Sequence, residues 1–295
     1  MHMPAVQIEG IRRYGPALTG MSLCVILLVI WTQVTNPVEG WAVLLEMNDF
    51  PPGYTDLPVD FTDIERLQEM LLVHGWDPSH IMVRKDDITT DTVKKGIQFM
   101  VSHADRNDIV FFYIGSHGDY IRHDLQWNTL FPGLWDIIPS ENRVLLIDSC
   151  FAGEFLPESP RGYMGMASVS ERESAWAGLP EEQLPIIGFI FTHYFCDSMK
   201  NQPSIEEGFA YTVPKVRIYM RDVVYPAFKE QFSPDTFYNL YDPHPVLIDY
   251  SPEPFFLTVE ESNPLSHLVS LSLLAGIGLI FTWIVASLLR TDTCT

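Results

Sequence analysis

Apolar and polar positions follow two different rhythms along this chain. Short apolar runs rich in branched and aromatic side chains occur at Trp41 to Met47, His80 to Arg84, Asp108 to Ile114 and Arg143 to Asp148. Runs of this length and make-up predict strands buried on both faces, as in a parallel sheet. Between them, apolar residues recur at helical spacing. Thr62 to His74 does so with Ile64, Leu67, Met70, Leu71 and Leu72, with Asp60 or Thr62 as cap and Gly75 as stop. Thr90 to Ala104 repeats the pattern with Val93, Ile97, Met100 and Val101. Leu125 to Ile138, carrying Trp127, Leu130, Phe131, Leu134 and Trp135, predicts a helix interrupted at Pro132-Gly133. Beyond these, Met164 to Val169 predicts a strand and Phe191 to Met199 a helix. Ser204 to about Phe232 predicts a helical stretch broken near Pro214 and Pro226, and Val246 to Tyr250 and Phe255 to Val259 predict added strands. Strand and helix alternate, which implies an α/β sheet with helices on both faces.

Two longer apolar stretches do not belong to such a core. Ala17 to Val34 and Leu265 to Leu289 contain no Asp, Glu, Lys or Arg, and they approach or exceed the length that spans a bilayer. The expected organisation is a tail at 1–16, a transmembrane helix or signal anchor at 17–34, a domain at 41–260, a second span at 265–289 and a tail at 290–295. Arg12 and Arg13 precede the first span and Arg290 follows the second. The charge bias therefore places both termini in the cytoplasm and the domain on the extracytoplasmic or lumenal side. Thr35-Asn36-Pro37-Val38 offers no small-x-small cleavage site, so the first span is expected to stay as an anchor.

Composition narrows the partners. With 18 Lys+Arg against 38 Asp+Glu the formal charge is -20, which argues against nucleic acid. The four cysteines form no disulfide framework: Cys24 lies in the first span, Cys294 in the tail, Cys196 after an apolar-aromatic run and Cys150 at a strand end. A free thiol in an exported domain calls for a chemical explanation.

The strand at 108–114 runs on through Gly115-Ser116 to His117, with Gly118 behind it; the strand at 143–148 runs on to Cys150, with Gly153 behind it. Neighbouring parallel strands present ligands at their carboxyl ends, so imidazole and thiol would meet in one crevice. A nearby imidazole takes the proton of a thiol, and the backbone N–H groups of Gly118 and Cys150 could form an oxyanion hole for acyl transfer. The residues alone also allow a buried structural cysteine, or a zinc site from His103, His117 and His123, although no Cys-x-x-Cys or His-x-x-x-His spacing supports the metal.

The succession Ser116-His117-Gly118, spacer, apolar strand, Asp148-Ser149-Cys150-Phe-Ala-Gly153 resembles the caspase-like cysteine peptidases, above all metacaspases and their prokaryotic relatives. More distantly it is similar to legumain and to the catalytic subunit of glycosylphosphatidylinositol transamidase. The resemblance runs from about Trp41 to Tyr250 and includes Gly188-Phe-Ile-Phe-Thr192, which opens a helix in that family. It implies a caspase-like three-layer sandwich with a mostly parallel central sheet, here flanked by two membrane spans. It also implies a peptidase acting on protein or peptide substrates, with His117 as base and acid and Cys150 as nucleophile. Asp148 and Asp63 correspond to the pair that lines the pocket for a substrate Arg or Lys, and Ser168 and Ser170 to contacts with substrate backbone. No resident cofactor or metal is implied, though calcium stimulates many relatives; no calcium loop of regular Asp spacing is present. Self-cleavage would fall at Arg161 or Arg172, in loops 157–163 and 170–185. The chain departs from the metacaspase pattern in reading Gly115-Ser116 where those proteins have serine then glycine, and it lacks the signature of aspartate-specific caspases. Two other readings share the dyad or the fold: a transamidase with an amine acceptor, and a silent scaffold for membrane partners. Oligomeric state is left open by the sequence.

Overall fold

The computed structural model describes residues 37–259 apart from 160, 161, 202, 252 and 253. The apolar stretches at 17–34 and 265–289, and Arg161, lie outside the described residues. Among the described residues no helix is long and apolar enough to cross a membrane.

Val38–Val259 form one compact unit. In chain order its elements are β1 (Gly40–Glu46), α1 (Thr62–Val73), β2 (Ile81–Lys85), α2 (Thr90–His103), β3 (Ile109–Gly115), α3 (Gly118–His123), α4 (Trp127–Asp136) and β4 (Asn142–Asp148). Then follow β5 (Met164–Ala167), the two-residue strands β6 (Ala177–Gly178) and β7 (Gly188–Phe189), α5 (Ile190–Met199), α6 (Ile205–Tyr219), α7 (Tyr225–Phe228), α8 (Pro234–Tyr241) and β8 (Val246–Asp249). Six strands make the main sheet in the order β2-β1-β3-β4-β5-β8. The first five run parallel and β8 closes the edge antiparallel to β5.

Side chains alternate between faces along a strand, so unbroken apolar runs feed two cores at once. Leu44, Tyr113 and Leu146 join the core under α1, α5 and α6, while Leu45, Phe112 and Ile147 join the one under α2, α3 and α4. This is the three-layer arrangement expected for a caspase-like domain.

Three expectations are corrected, each because packing overrides a local signal. Helix α4 passes through Pro132 without interruption. Its buried face is an aromatic stack, Trp127 on Phe131 at 3.8 Å and Phe131 on Trp135 at 5.4 Å, which holds the turn despite one missing N–H. Helix α6 likewise passes through Pro214, held by its buried face of Ile205, Thr212, Val216 and Tyr219. The break comes later as a π-helical turn at Met220–Val224, which places the wider hydrogen-bonding pattern just where Pro226 has no N–H to give.

Phe255 to Val259 does not form a strand. Its backbone is spent on helix ends and loops: Ile205 N–H donates to the Phe255 carbonyl (2.8 Å), Trp76 Nε1 to the Leu257 carbonyl (2.7 Å), and Val259 N–H to the His74 carbonyl (2.8 Å). Gly40, at the start of β1, packs on the same Trp76 indole, so tightly that a Cβ would overlap the ring. The two ends of the unit therefore meet at the amino-terminal edge of the sheet.

Candidate active site

β3 and β4 pair in parallel with Gly115 opposite Asp148. His117 and Cys150 each follow two residues later, so both emerge at the same step beyond the carboxyl-terminal edge of the sheet. The turns that carry them are in contact. Gly118, the first residue of α3, lies directly on the Cys150 carbonyl, and any Cβ there would overlap it.

After Cys150 the chain turns sharply, with Phe151 in the left-handed region at φ 60°. That conformation is uncommon for an aromatic residue and needs support. Phe151 N–H donates to the Glu173 carbonyl (2.8 Å), and the 3-10 turn Ala152–Phe155 continues from there. Arg122, on α3, ties the two turns together. Its guanidinium bonds both carboxylate oxygens of Glu154 (3.1 and 2.6 Å) and Asp119 (2.9 Å) and lies 5.0 Å from the Phe151 ring centre.

His117 Nε2 is 2.7 Å from the Thr55 carbonyl, an acceptor only. That contact puts a ring proton on Nε2. Phe50 (4.6 Å) and Tyr54 (6.3 Å) pack on the ring from the same loop. The imidazole and thiol share no hydrogen bond. Cys150 Sγ instead points to the Ala175 carbonyl at 3.9 Å, and burial raises the thiol pKa, opposed by hydrogen bonds to Ala175 and Ser174.

Residues 170–176 thus close over Cys150. Glu173 holds the loop through Ser170 N–H (3.0 Å) and through His244, whose N–H (3.0 Å) and Nδ1 (2.6 Å) both meet its carboxylate. Trp176 is anchored among Phe228, Phe237 and Tyr241 at 5.0, 6.3 and 5.1 Å. Next to Ala175, whose carbonyl faces the thiol, lies a cavity of about 10 Å³, lined by Asp148, Ser168, Ala175, Trp176, Ile190 and Tyr241 among others. That is room for about one water.

Asp148 is buried at the cavity wall and accepts from Thr192 N–H (3.0 Å) and Thr192 Oγ1 (2.7 Å). Burial pushes its carboxyl up to about 6, with the Thr192 and Ser168 hydrogen bonds working against the rise. Asp63 is equally buried, accepts from Phe189 N–H (2.7 Å) and pairs with Arg66 (3.1 Å). Burial raises its pKa, the Phe189 and Arg66 contacts lower it, and the charge of nearby Asp148 raises it again. The two carboxyls are neighbours, but only Asp148 reaches the cavity. Ser168 lines the cavity and accepts from Ser149 N–H at 3.3 Å. Ser170 is not in its wall and caps the loop through its backbone.

His103 lies at the opposite end of the sheet, stacked on Trp41 at 4.8 Å. It does not join His117, and among the described residues no group of three or more His, Cys, Asp or Glu side chains is placed to hold a metal ion.

Sequence reasoning misses Thr55, Arg122 and Glu46. Thr55 acts through a carbonyl that any residue has, so no side-chain pattern marks it. Arg122 is one of many exposed charges. Glu46 carries a signal: it is the acidic residue in the apolar run Trp41 to Met47, fully buried, with Oε2 accepting from Ile64 N–H at 3.0 Å.

A search of curated proteins finds no match to this chain. Residues 39–163 match the family model of the caspase domain, a stretch that runs from β1 through β4 and holds both His117 and Cys150.

Proposed function

We propose that this protein is a membrane-anchored cysteine endopeptidase that hydrolyses peptide bonds after a basic residue, with Cys150 as nucleophile and His117 as its base and acid. The observation that carries the reading is the β3–β4 register, which brings both side chains to one edge, with Asp148 two residues before Cys150 in the wall of a small cavity.

Substrate enters as the 170–176 loop withdraws and Sγ leaves the Ala175 carbonyl. Because burial raises the thiol pKa, the proton moves to His117 Nδ1 as Sγ attacks the carbonyl carbon, rather than in advance. Thr55 receives the opposite ring N–H and steadies the imidazolium. The oxyanion meets the N–H groups of Gly118 and Cys150, neither of which is hydrogen-bonded among the described residues. His117 then protonates the leaving amine, and water repeats the sequence on the thioester. The pocket carboxylate of Asp148 pairs with the cationic side chain that precedes the scissile bond. The apolar stretches at 17–34 and 265–289 hold the domain on the extracytoplasmic or lumenal side.

The test is hydrolysis of Arg-ended and Asp-ended reporter peptides by the full chain in detergent, with and without an added amine. The expected result is cleavage of the Arg reporter alone, no amine adduct, and no turnover by Cys150→Ala. Cleavage of neither reporter refutes the peptidase reading, and amine adducts in place of acid refute hydrolysis.

A further inference from the structure

Glu46, Gly115 and Asp148 stand in one row across β1, β3 and β4, paired position to position. Adjacent strands are ~4.8 Å apart, so the two acidic residues flank the glycine with about 10 Å between their backbones. No side chain rises from Gly115. The place its Cβ would occupy is taken by the Tyr113 hydroxyl, from one step back on the same face. Asp63, in the first turn of α1, lies close by, and the charges of Asp63, Glu46 and Asp148 all act on that hydroxyl.

Two atoms in this row are fully buried and have no hydrogen-bond partner: Tyr113 Oη and Glu46 Oε1. Thr192 Oγ1 lies near the Tyr113 hydroxyl but gives its own proton to Asp148, so it has none to offer Tyr113. Arg66 pairs with Asp63 and donates to the Ile187 carbonyl (2.9 Å). Among the described residues, neither Glu46 nor Asp148 has an ion-pair partner. Buried polar groups are nearly always paired, so unmet groups beside carboxyls that have no ion-pair partner describe a site for a further donor.

The missing partner must carry positive charge and several N–H donors spread over a plane, because the acceptors are spread across strands. A guanidinium has five donors in a rigid fork, whereas an ammonium is a point charge. Asp148 lines the cavity next to Ala175, and the Tyr113 hydroxyl fills the place beside Gly115, the residue paired with Asp148 across β3 and β4.

We propose that the Tyr113 hydroxyl and the Glu46 carboxyl form the inner wall of the pocket that begins at Asp148, and that they select arginine over lysine at the residue whose carbonyl Cys150 attacks. The inference rests on the basic-residue reading above and extends it to two residues outside the dyad. Gly115 belongs to the same device, since its lack of a side chain makes room for the tyrosine hydroxyl.

The test uses two reporters that differ only in Arg or Lys before the leaving group, with kcat and KM measured separately on the full chain in detergent. The wild-type chain is expected to favour Arg by about tenfold or more in kcat/KM. Tyr113→Phe should lower kcat/KM for Arg about tenfold, through KM, and change the Lys reporter by less than about twofold. Gly115→Ser alone should lose Arg cleavage, because its Cβ meets the tyrosine hydroxyl. If Tyr113→Phe does not fold, Glu46→Gln gives the same readout, with an Arg:Lys ratio reduced at least about threefold. An unchanged ratio in a folded variant or an equal loss on both reporters overturns the proposal. A wild-type chain that cleaves both reporters equally overturns the selection and leaves the basic-residue reading standing; one that cleaves neither overturns both.

Discussion

A thiol whose pKa burial has raised is a weak nucleophile until its proton has somewhere to go, and in this site the free acceptor is Nδ1 of His117. Cys150→Ala should therefore lower turnover by at least about 10³-fold with little change in stability, measured by reporter hydrolysis beside a thermal melt. Neutral-pH alkylation followed by mass spectrometry should mark half-buried Cys150 well before Cys196, whose thiol is sealed in the core and pushed far up by burial. Gly118 is a sharper probe of geometry. Gly118→Ala must push the Cys150 carbonyl away and should cost about 1–3 kcal/mol of stability along with most activity; a fully active Gly118→Ala would show that the two turns do not need to touch. Asp148 adds a pH signature. Its carboxyl is raised to about 6 in the empty site, so KM for an Arg reporter should climb as pH falls through that value, and a flat KM would remove Asp148 from the pocket.

At the scale of elements, the clamp on α3 governs alignment. Arg122 holds Glu154 with two parallel bonds and Asp119 with a third, and thereby fixes the turn after His117 to the turn after Cys150. Arg122→Lys keeps the charge and loses the fork, so kcat should fall about tenfold while the melting temperature stays within a few degrees. Unchanged kcat would mean the turns are aligned by Gly118 packing alone. The reactive ends of β3 and β4 were legible in the sequence because a wholly apolar run that stops at His or Cys leaves the side chain at the sheet edge. The helix breaks were not, because Pro132 and Pro214 are local signals and the aromatic stack of α4 and the buried face of α6 are long-range ones. Thr55, reached through a carbonyl from a loop some sixty residues upstream, was beyond any pattern of side chains.

For the molecule as a whole, three buried carboxyls on one face set the pH dependence of folding. Burial raises the native-state pKa of Glu46, Asp63 and Asp148 above the ordinary carboxylate range. Groups shifted this way bind protons more tightly in the folded chain, so their contribution is complete below about pH 4 and is lost as pH rises through about 6 and, for Glu46, further into the alkaline range. His74 and His193, lowered by burial, act in the opposite sense on the acid side. The melting temperature should therefore fall from pH 6.5 to 9, and Glu46→Gln should flatten that fall; a melting temperature that holds steady to pH 9 would mean Glu46 is not kept neutral. The meeting of Gly40 and Leu257 at Trp76 has a separate consequence. A unit whose incoming and outgoing strands of chain sit about one indole apart is a cassette: it can be spliced between two adjacent positions of a host protein's surface loop without prying either partner open. The edge that carries His117 and Cys150, at the far end of the same strands, would then face away from the host.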